Sequence, residues 1–215
     1  MIVEKHPVLR ISTHILLLLG LLSILFPIYV AFVASTHTVK ELMVSPIPMT
    51  PGSHFLHNYG QALFHGGKVF GGVTVLSMLF NSFIMAFLIA IGKVGFSLLS
   101  AFAIVYFRFP FRRLSFWLIF STLLLPVQVR IVPTFQIVAQ LDLINHFGGL
   151  TLPLIASATA TFLFRQFFMT LPDELCDAAR VDGAGPCRFF WDVVLPLSKT
   201  NMVALFIVMF IYGWN

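Results

Sequence analysis

Five apolar runs, separated by intervals that hold most of the polar residues, set the plan of the chain. They fall at about residues 11–34, 73–96, 114–138, 147–168 and 201–215. The first four match or exceed the roughly 20 residues that a helix needs to cross a hydrocarbon core of about 30 Å. The pattern predicts an all-α fold, a polytopic transmembrane helical bundle formed as a single domain over residues 1–215. The last run is shorter, and its helix would reach only about 22 Å at 1.5 Å per residue. The expectation is that the chain stops inside an incomplete fifth span.

Interruptions within the runs carry the candidate chemistry. Lys5 and Arg10 precede the first run, which is longer than the 7–15 residue core of a cleaved signal peptide and is read as a retained span with a kink at Pro27. Ser35 to Gly72 contains Pro46, Pro48, Pro51 and two Gly pairs, which predicts an irregular external loop. Its histidines, His54, His57 and His65, have no carboxylate or Cys among them and read as solvated rather than metal-binding. In the second run Asn81 reads as an interhelical hydrogen-bonding group or, alternatively, a substrate ligand. In the third, Pro126 and Pro133 bracket Gln128 and Arg130, so the outer part is not expected to be a regular helix. An arginine there is costly unless it meets water or a partner. Gln128 and Arg130 are therefore candidates for the substrate pathway, with an arginine snorkelling to the outer surface as the alternative. In the fourth run the small residues from Ala156 to Thr161 would let a neighbouring backbone approach closely.

The long polar interval of the C-terminal half is Thr170 to Lys199. It has the punctuation of two short helices. Pro172 suits a first turn, Asp173 and Glu174 favour its positive end, and Leu175, Ala178 and Ala179 form an i, i+3, i+4 stripe. Gly183 can supply a left-handed stop. A second helix is expected from Pro186, ending before Pro196, with Phe189, Phe190, Val193 and Val194 as its apolar side. The prediction is helix, glycine corner, helix.

Composition narrows the class. With 59% hydrophobic and 10% charged residues, the 215-residue chain cannot cover a soluble globule with polar groups. The net charge of +5 is dispersed between apolar runs, without the clustered patch of a nucleic-acid binder. Cys176 and Cys187 have neither a second Cys nor a His at metal-ligand spacing and read as fillers. No Walker-type phosphate loop is present, since Gly66-Gly67-Lys68-Val69 lacks its spacing and hydroxyl, and no nucleophile or acid–base constellation stands out. The chain is not expected to be an enzyme. With the N-terminus inside, Lys5, Arg10, Lys93, Arg108, Arg112, Arg113, Arg165, Arg180, Arg188 and Lys199 lie on the cytoplasmic side, against Lys40, Lys68 and Arg130 outside. That distribution follows the positive-inside rule and puts residues 170–199 in the cytoplasm.

The spacing Asp177-Ala178-Ala179, three residues, Gly183, nine residues, Val193-x-Leu195-Pro196 resembles the EAA loop of the membrane subunits of bacterial ABC importers. Asp177 and Val193 stand where that pattern has Glu and Ile. The segments LLSAFAIVYFRFPFR, LLPVQVRIVPTF and FFWDVVLPLSKTN resemble the permeases of sn-glycerol-3-phosphate importers, and the likeness runs over essentially the whole chain. It implies a type I importer permease in a bacterial inner membrane, with six spans in the complete subunit. It also implies ATPase coupling through Asp177, Ala178, Ala179, Gly183, Val193, Leu195 and Pro196. The implied partners are a second, different permease subunit, two ATP-binding subunits that carry the nucleotide and magnesium, and a periplasmic solute-binding protein. A sugar or a glycerophosphodiester is the alternative solute. Two other classes stay open on the residues alone, a stand-alone secondary carrier and a non-transporting membrane protein that docks a cytoplasmic partner.

Overall fold

A computed structural model describes residues 7–66 and 71–214. Lys5, Lys68, Gly67, Val69 and Asn215, which entered the sequence arguments above, lie outside the described residues. Among the described residues every regular element is helical. Contacts group the chain into two compact units, residues 1–78 and 79–215, a boundary the apolar pattern does not mark.

In the first unit, α1 (Pro7–Ser35) runs through Pro27 as one helix. Its apolar part, Arg10–Ser35, is 26 residues long, about 39 Å at 1.5 Å per residue, and is enough to cross a bilayer alone. The segment after it is more ordered than an irregular loop. Thr38 caps α2 (Val39–Leu42) through a capping box with Glu41. Further on come α3 (Phe55–Gly60) and a π turn, Gln61–His65. The order has a physical source in polar groups that stitch the turns together. Asn58 Nδ2 donates to the carbonyls of Ser35 and His37, both at 2.9 Å, and the Gly52 amide donates to Thr36 Oγ1 at 2.6 Å. His37 bridges Glu41 Oε2 and the Thr50 carbonyl through its two ring nitrogens, each at 2.9 Å. Both acceptors lack hydrogens, so the arrangement favours the doubly protonated imidazolium. Accordingly, the Thr50 carbonyl first and the Glu41 carboxylate second raise the His37 pKa above its ordinary value.

The second unit is built on α4 (Val75–Tyr106), whose first turn precedes the boundary. Past the span expected to about Phe96, the helix continues another ten residues, as the sequence of Ser97 to Val105 allows, since it contains no breaker and keeps the apolar stripe. Ala86, Ala90, Val94, Leu98 and Phe102, with Ile89, Ser97 and Ala101, recur at three- and four-residue intervals and form its buried face. One consequence concerns Lys93, counted above at the inner end of a span. It lies within α4, about 20 Å from the Tyr106 end at 1.5 Å per residue.

The third run folds as two helices, α5 (Arg112–Ser121) and α6 (Val127–Gln140), with a 3-10 turn over Thr122–Leu124. Their directions differ by 105°. The break falls at Leu125 and Pro126, where proline pushes the residue before it into extended backbone. Pro133, expected to disrupt the outer part as well, is accommodated inside α6, so Gln128 and Arg130 sit on a helix and not on irregular backbone. The fourth run is also bent, by 45°, between α7 (Phe147–Thr151) with its 3-10 extension and α8 (Ala158–Phe168). Ser157 caps α8 by accepting from the Ala160 amide at 3.2 Å, while its carbonyl accepts from Ser97 Oγ of α4 at 3.1 Å. The small-residue run does permit close approach. Ala160 and Thr161 are buried, and a methyl group added at Gly92 of α4 would strike Ile155.

Among the described residues two helices, Arg10–Ser35 and Val75–Tyr106, are individually long and apolar enough to cross a membrane, and three bent pairs are if each counts as one span. The core of the second unit joins α4, α8 and the C-terminal helices. Phe164 and Phe168 are its largest enclosed side chains, with Ala90, Phe190, Val194 and Leu205 around them.

Candidate functional site

The polar interval folds as α9 (Asp173–Val181), a turn, and a second helical stretch from Pro186. Pro172 is the N-cap of α9 and lies just outside the first turn, in extended backbone that its fixed φ permits. Asp173 and Glu174 occupy the positive first turn and Arg180 the negative last turn. Gly183 then takes φ +69. Its amide donates to the Arg180 carbonyl at 3.1 Å and the Ala184 amide reaches back to the Ala179 carbonyl at 2.8 Å. These two bonds make a Schellman motif, which requires a left-handed residue at the position Gly183 holds.

The second helix departs from expectation at its end. It comprises α10 (Pro186–Phe189), a π turn over Phe190–Val194 and α11 (Leu195–Leu197), and so passes through Pro196 rather than stopping before it. A proline inside a regular helix would leave one carbonyl unpaired and press its ring on the preceding turn. Here the turn is widened, and the Leu195 amide donates to the Phe190 carbonyl five residues back. The helix ends at Ser198, whose hydroxyl donates to the Val194 carbonyl at 2.5 Å. After it, α12 (Lys199–Trp214) leaves at 71°.

Packing fixes which faces look inward. Phe189, Phe190 and Val194 are buried as expected, and Phe190 meets Phe102 of α4 with ring centroids 4.9 Å apart. Phe189 makes an edge contact with Tyr106 at 5.1 Å. Between these rings and α9 lies a cavity of ≈ 270 Å³ bordered by Phe107, Cys176, Ala179 and Ala184. The inward side of α9 is therefore Cys176 and Ala179, not the whole stripe expected from spacing. Leu175 and Ala178 are exposed, and Val181 is 87% exposed. The hydrophobic pattern could not reveal this, because the stripe is wide enough for two faces and the bundle takes only one.

The positions of the EAA-like spacing are thus divided by the fold. Asp177 and Ala178 face solvent, Ala179, Val193 and Leu195 are half-buried, and Gly183 and Pro196 are exposed. Asp177 accepts from Arg180 Nη1 at 2.9 Å, and Asp192 accepts from Arg188 Nε at 3.2 Å. All four side chains are more than 60% exposed, so each pair contributes about 0.2–1 kcal/mol at most. The surface they form is polar and exposed, with Leu175, Ala178 and Val181 as an apolar strip beside it.

The candidate pathway residues are placed more loosely. Asn81 on α4 and Gln128 and Arg130 on α6 are all exposed. Lys93, which charge counting placed at the inner end of a span, does lie within electrostatic range of Arg130. The signal that could have found it is the uninterrupted apolar stretch after Ser97, which leaves Lys93 far from either end of a helix. Among the described residues no group of three His, Cys, Asp or Glu side chains is placed to hold a metal ion.

Comparison with known proteins adds the family. Residues 93–215 match the family described as binding-protein-dependent transport system inner membrane component. The chain is similar to the sn-glycerol-3-phosphate transport system permease protein UgpE of Yersinia enterocolitica, 58% identical over 213 residues, covering 99% of this chain and 75% of that protein. The proteins of that name from Pectobacterium atrosepticum and Escherichia coli O1:K1 are 56% and 57% identical, again over 99% of this chain and 75% of theirs. Family match, identity and apolar helices agree: this chain is a multi-pass membrane protein of the binding-protein-dependent transport system inner membrane component family.

Proposed function

We propose that the chain is a permease subunit of an ATP-driven importer of sn-glycerol-3-phosphate, and that α9, the Gly183 corner and α10 form the element through which ATPase subunits move it. The observation that carries the coupling part is a helix pair packed on one face and exposed on the other. Its inner face is locked onto α4 by Phe189 and Phe190, while its outer face, Leu175, Ala178 and Val181, is left uncovered by this chain. A knob so built transmits a push as a rigid body, because bending it would break the Schellman bonds and the ring contacts together. The remaining partners in this reading are a second permease subunit and a periplasmic solute-binding protein. Nucleotide and magnesium belong to the ATPase subunits, and residues 170–199 and the N-terminus face the cytoplasm.

The relatives' printed names supply the substrate. Two cations within membrane-spanning length, Lys93 and Arg130, supply a physical reason for it, since an anionic phosphate passing a hydrocarbon layer requires compensating positive charge. A sugar would not need them. The test is uptake of labelled sn-glycerol-3-phosphate into proteoliposomes, with the permease pair, the ATPase subunits, the loaded binding protein and ATP added or withheld one at a time. Uptake that requires every component is expected. Uptake without ATPase subunits would make the chain a carrier, and uptake of a sugar with none of the phosphate would overturn the substrate.

A further inference from the structure

The second unit carries another concave site, distinct from the helix pair. It opens between the end of α4, the start of α5 and the last turn of α8, has a volume of ≈ 420 Å³, and is lined by Arg112, Arg113 and Arg165 with Phe116 and Trp117. No carboxylate lines it. The ion pairs among the described residues are His37–Glu41, Arg180–Asp177 and Arg188–Asp192, so none of the three arginines is neutralised by one. Two of them are held in place. Arg112 Nη1 donates to the carbonyls of Val105 and Phe107, both at 3.4 Å, and the Arg165 guanidinium lies 4.1 Å from the centre of the Phe116 ring.

Arg165 Nε is buried without a hydrogen-bond partner among the described residues. A charged donor left open in this way is destabilising unless something fills the site. The start of α5 adds to the positive field, because its N-cap, Phe111, is left-handed and offers no side-chain bond to the first-turn amides. Guanidinium forks match phosphate oxygens two at a time. At about 30 Å³ per water, the cavity has room for a phosphodiester together with several waters.

Phosphate alone would satisfy only half of the surroundings. Trp117, Met169 and Leu114, at or beside the cavity, are each more than half exposed, and in a membrane-spanning chain such side chains seek hydrocarbon. A ligand with an anionic phosphodiester head and an apolar body meets both demands. From this we infer that the cavity binds the headgroup of an anionic membrane phospholipid, which ties the turn between α4 and α5 to the end of α8. Basic pockets between spanning helices have the general chemistry for this.

The experiment uses the full chain, purified in mild detergent with the subunits that accompany it. Native mass spectrometry would score retained lipid after exchange into mixtures of phosphatidylglycerol and phosphatidylcholine. A parallel phosphorus NMR titration would use inorganic phosphate on the delipidated protein. Preferential retention of phosphatidylglycerol is expected, about fivefold weaker for each of Arg113→Gln and Arg165→Gln. Arg165→Lys should recover part of the loss, and Arg10→Gln, remote in sequence from the cavity, should lose nothing. Inorganic phosphate should not compete. Equal retention of the two lipids, or retention unaffected by the arginine variants, would overturn the inference. Binding of inorganic phosphate at these arginines without lipid preference would overturn the lipid and leave a phosphate site.

Discussion

Replacing Gly183 by valine should uncouple the permease from its ATPase partners, and the structure says by what route. A Cβ built on Gly183 meets nothing within 4 Å, so the substitution causes no collision. The cost lies in the backbone, since φ is +69 and a side chain in the left-handed region costs about 1–2 kcal/mol, more for a β-branched one. If the corner relaxes to negative φ instead, the bonds from Gly183 to Arg180 and from Ala184 to Ala179 are lost, at about 1 kcal/mol each. Either way the native corner is depopulated by roughly five- to thirtyfold relative to alternatives. The assay is a reconstituted complex scored separately for assembly, ATPase stimulation by the loaded binding protein, and uptake. Asn tolerates left-handed backbone and Ala does not, so coupling should fall in the order Gly, Asn, Ala, Val. Normal membrane insertion with lost uptake is expected for Gly183→Val. Full uptake with intact stimulation would remove the corner from the mechanism, and an Asn variant as impaired as Val would refute the backbone argument.

Three further outcomes follow from other parts of the chain. Arg130→Gln and Lys93→Gln should each weaken uptake of an anionic solute, read as a raised apparent KM in assembled transporter; unchanged kinetics in both would remove them from the pathway. The His37 clasp should be pH-dependent. His37 is raised from its ordinary 6.5, so its contribution is complete below that pH and fades as pH rises through the folded-state value. Glu41 is lowered from 4.5, by the Thr38 amide first and by His37 second, so its contribution is complete above that pH and fades as pH falls through its lower folded-state value. Protection of the amides at residues 37–54, taken relative to their intrinsic exchange rates at each pH, should therefore be greatest between about pH 4.5 and 6.5, and Glu41→Gln should flatten that protection profile; a flat protection profile in the unaltered protein would contradict the clasp. Finally, an impermeant thiol reagent should label Ser53→Cys but not Cys176 or Cys187 in intact spheroplasts, and the reverse pattern would invert the orientation.

Much of this architecture can be read from the chain because bilayer and helix impose simple periods. Apolar runs locate the long and bent helices, and the charged interval with Gly183 gives helix, corner and helix. What the pattern conceals is decided by tertiary detail. The Pro126 break and the tolerated Pro133 look alike in sequence, yet one caps the start of a helix and the other sits within it. Pro196 reads as a stop, but a π turn makes room for it. Leu175, Cys176, Ala178 and Ala179 are all compatible with burial, and only the placement of Phe102, Tyr106 and Phe189 selects Cys176 and Ala179 for the inside. Lys93 was concealed for a different reason, since its position depends on where α4 ends. The loop histidines posed the converse problem, because His37 draws its partners from 4 and 13 residues away, beyond any local motif.

The central claim is that the outer face of α9 meets an ATPase subunit while its inner face is occupied by this chain's own bundle. Photo-crosslinking from single positions on α9 tests it most directly, with a short photoreactive side chain at 175, 178 or 181 in one set and at 176 or 179 in the other. Adducts with the ATPase subunit are predicted from 175, 178 and 181, with 176 and 179 giving only adducts within this chain. ATPase adducts that come mainly from 176 and 179, or from no position on α9, would contradict the account.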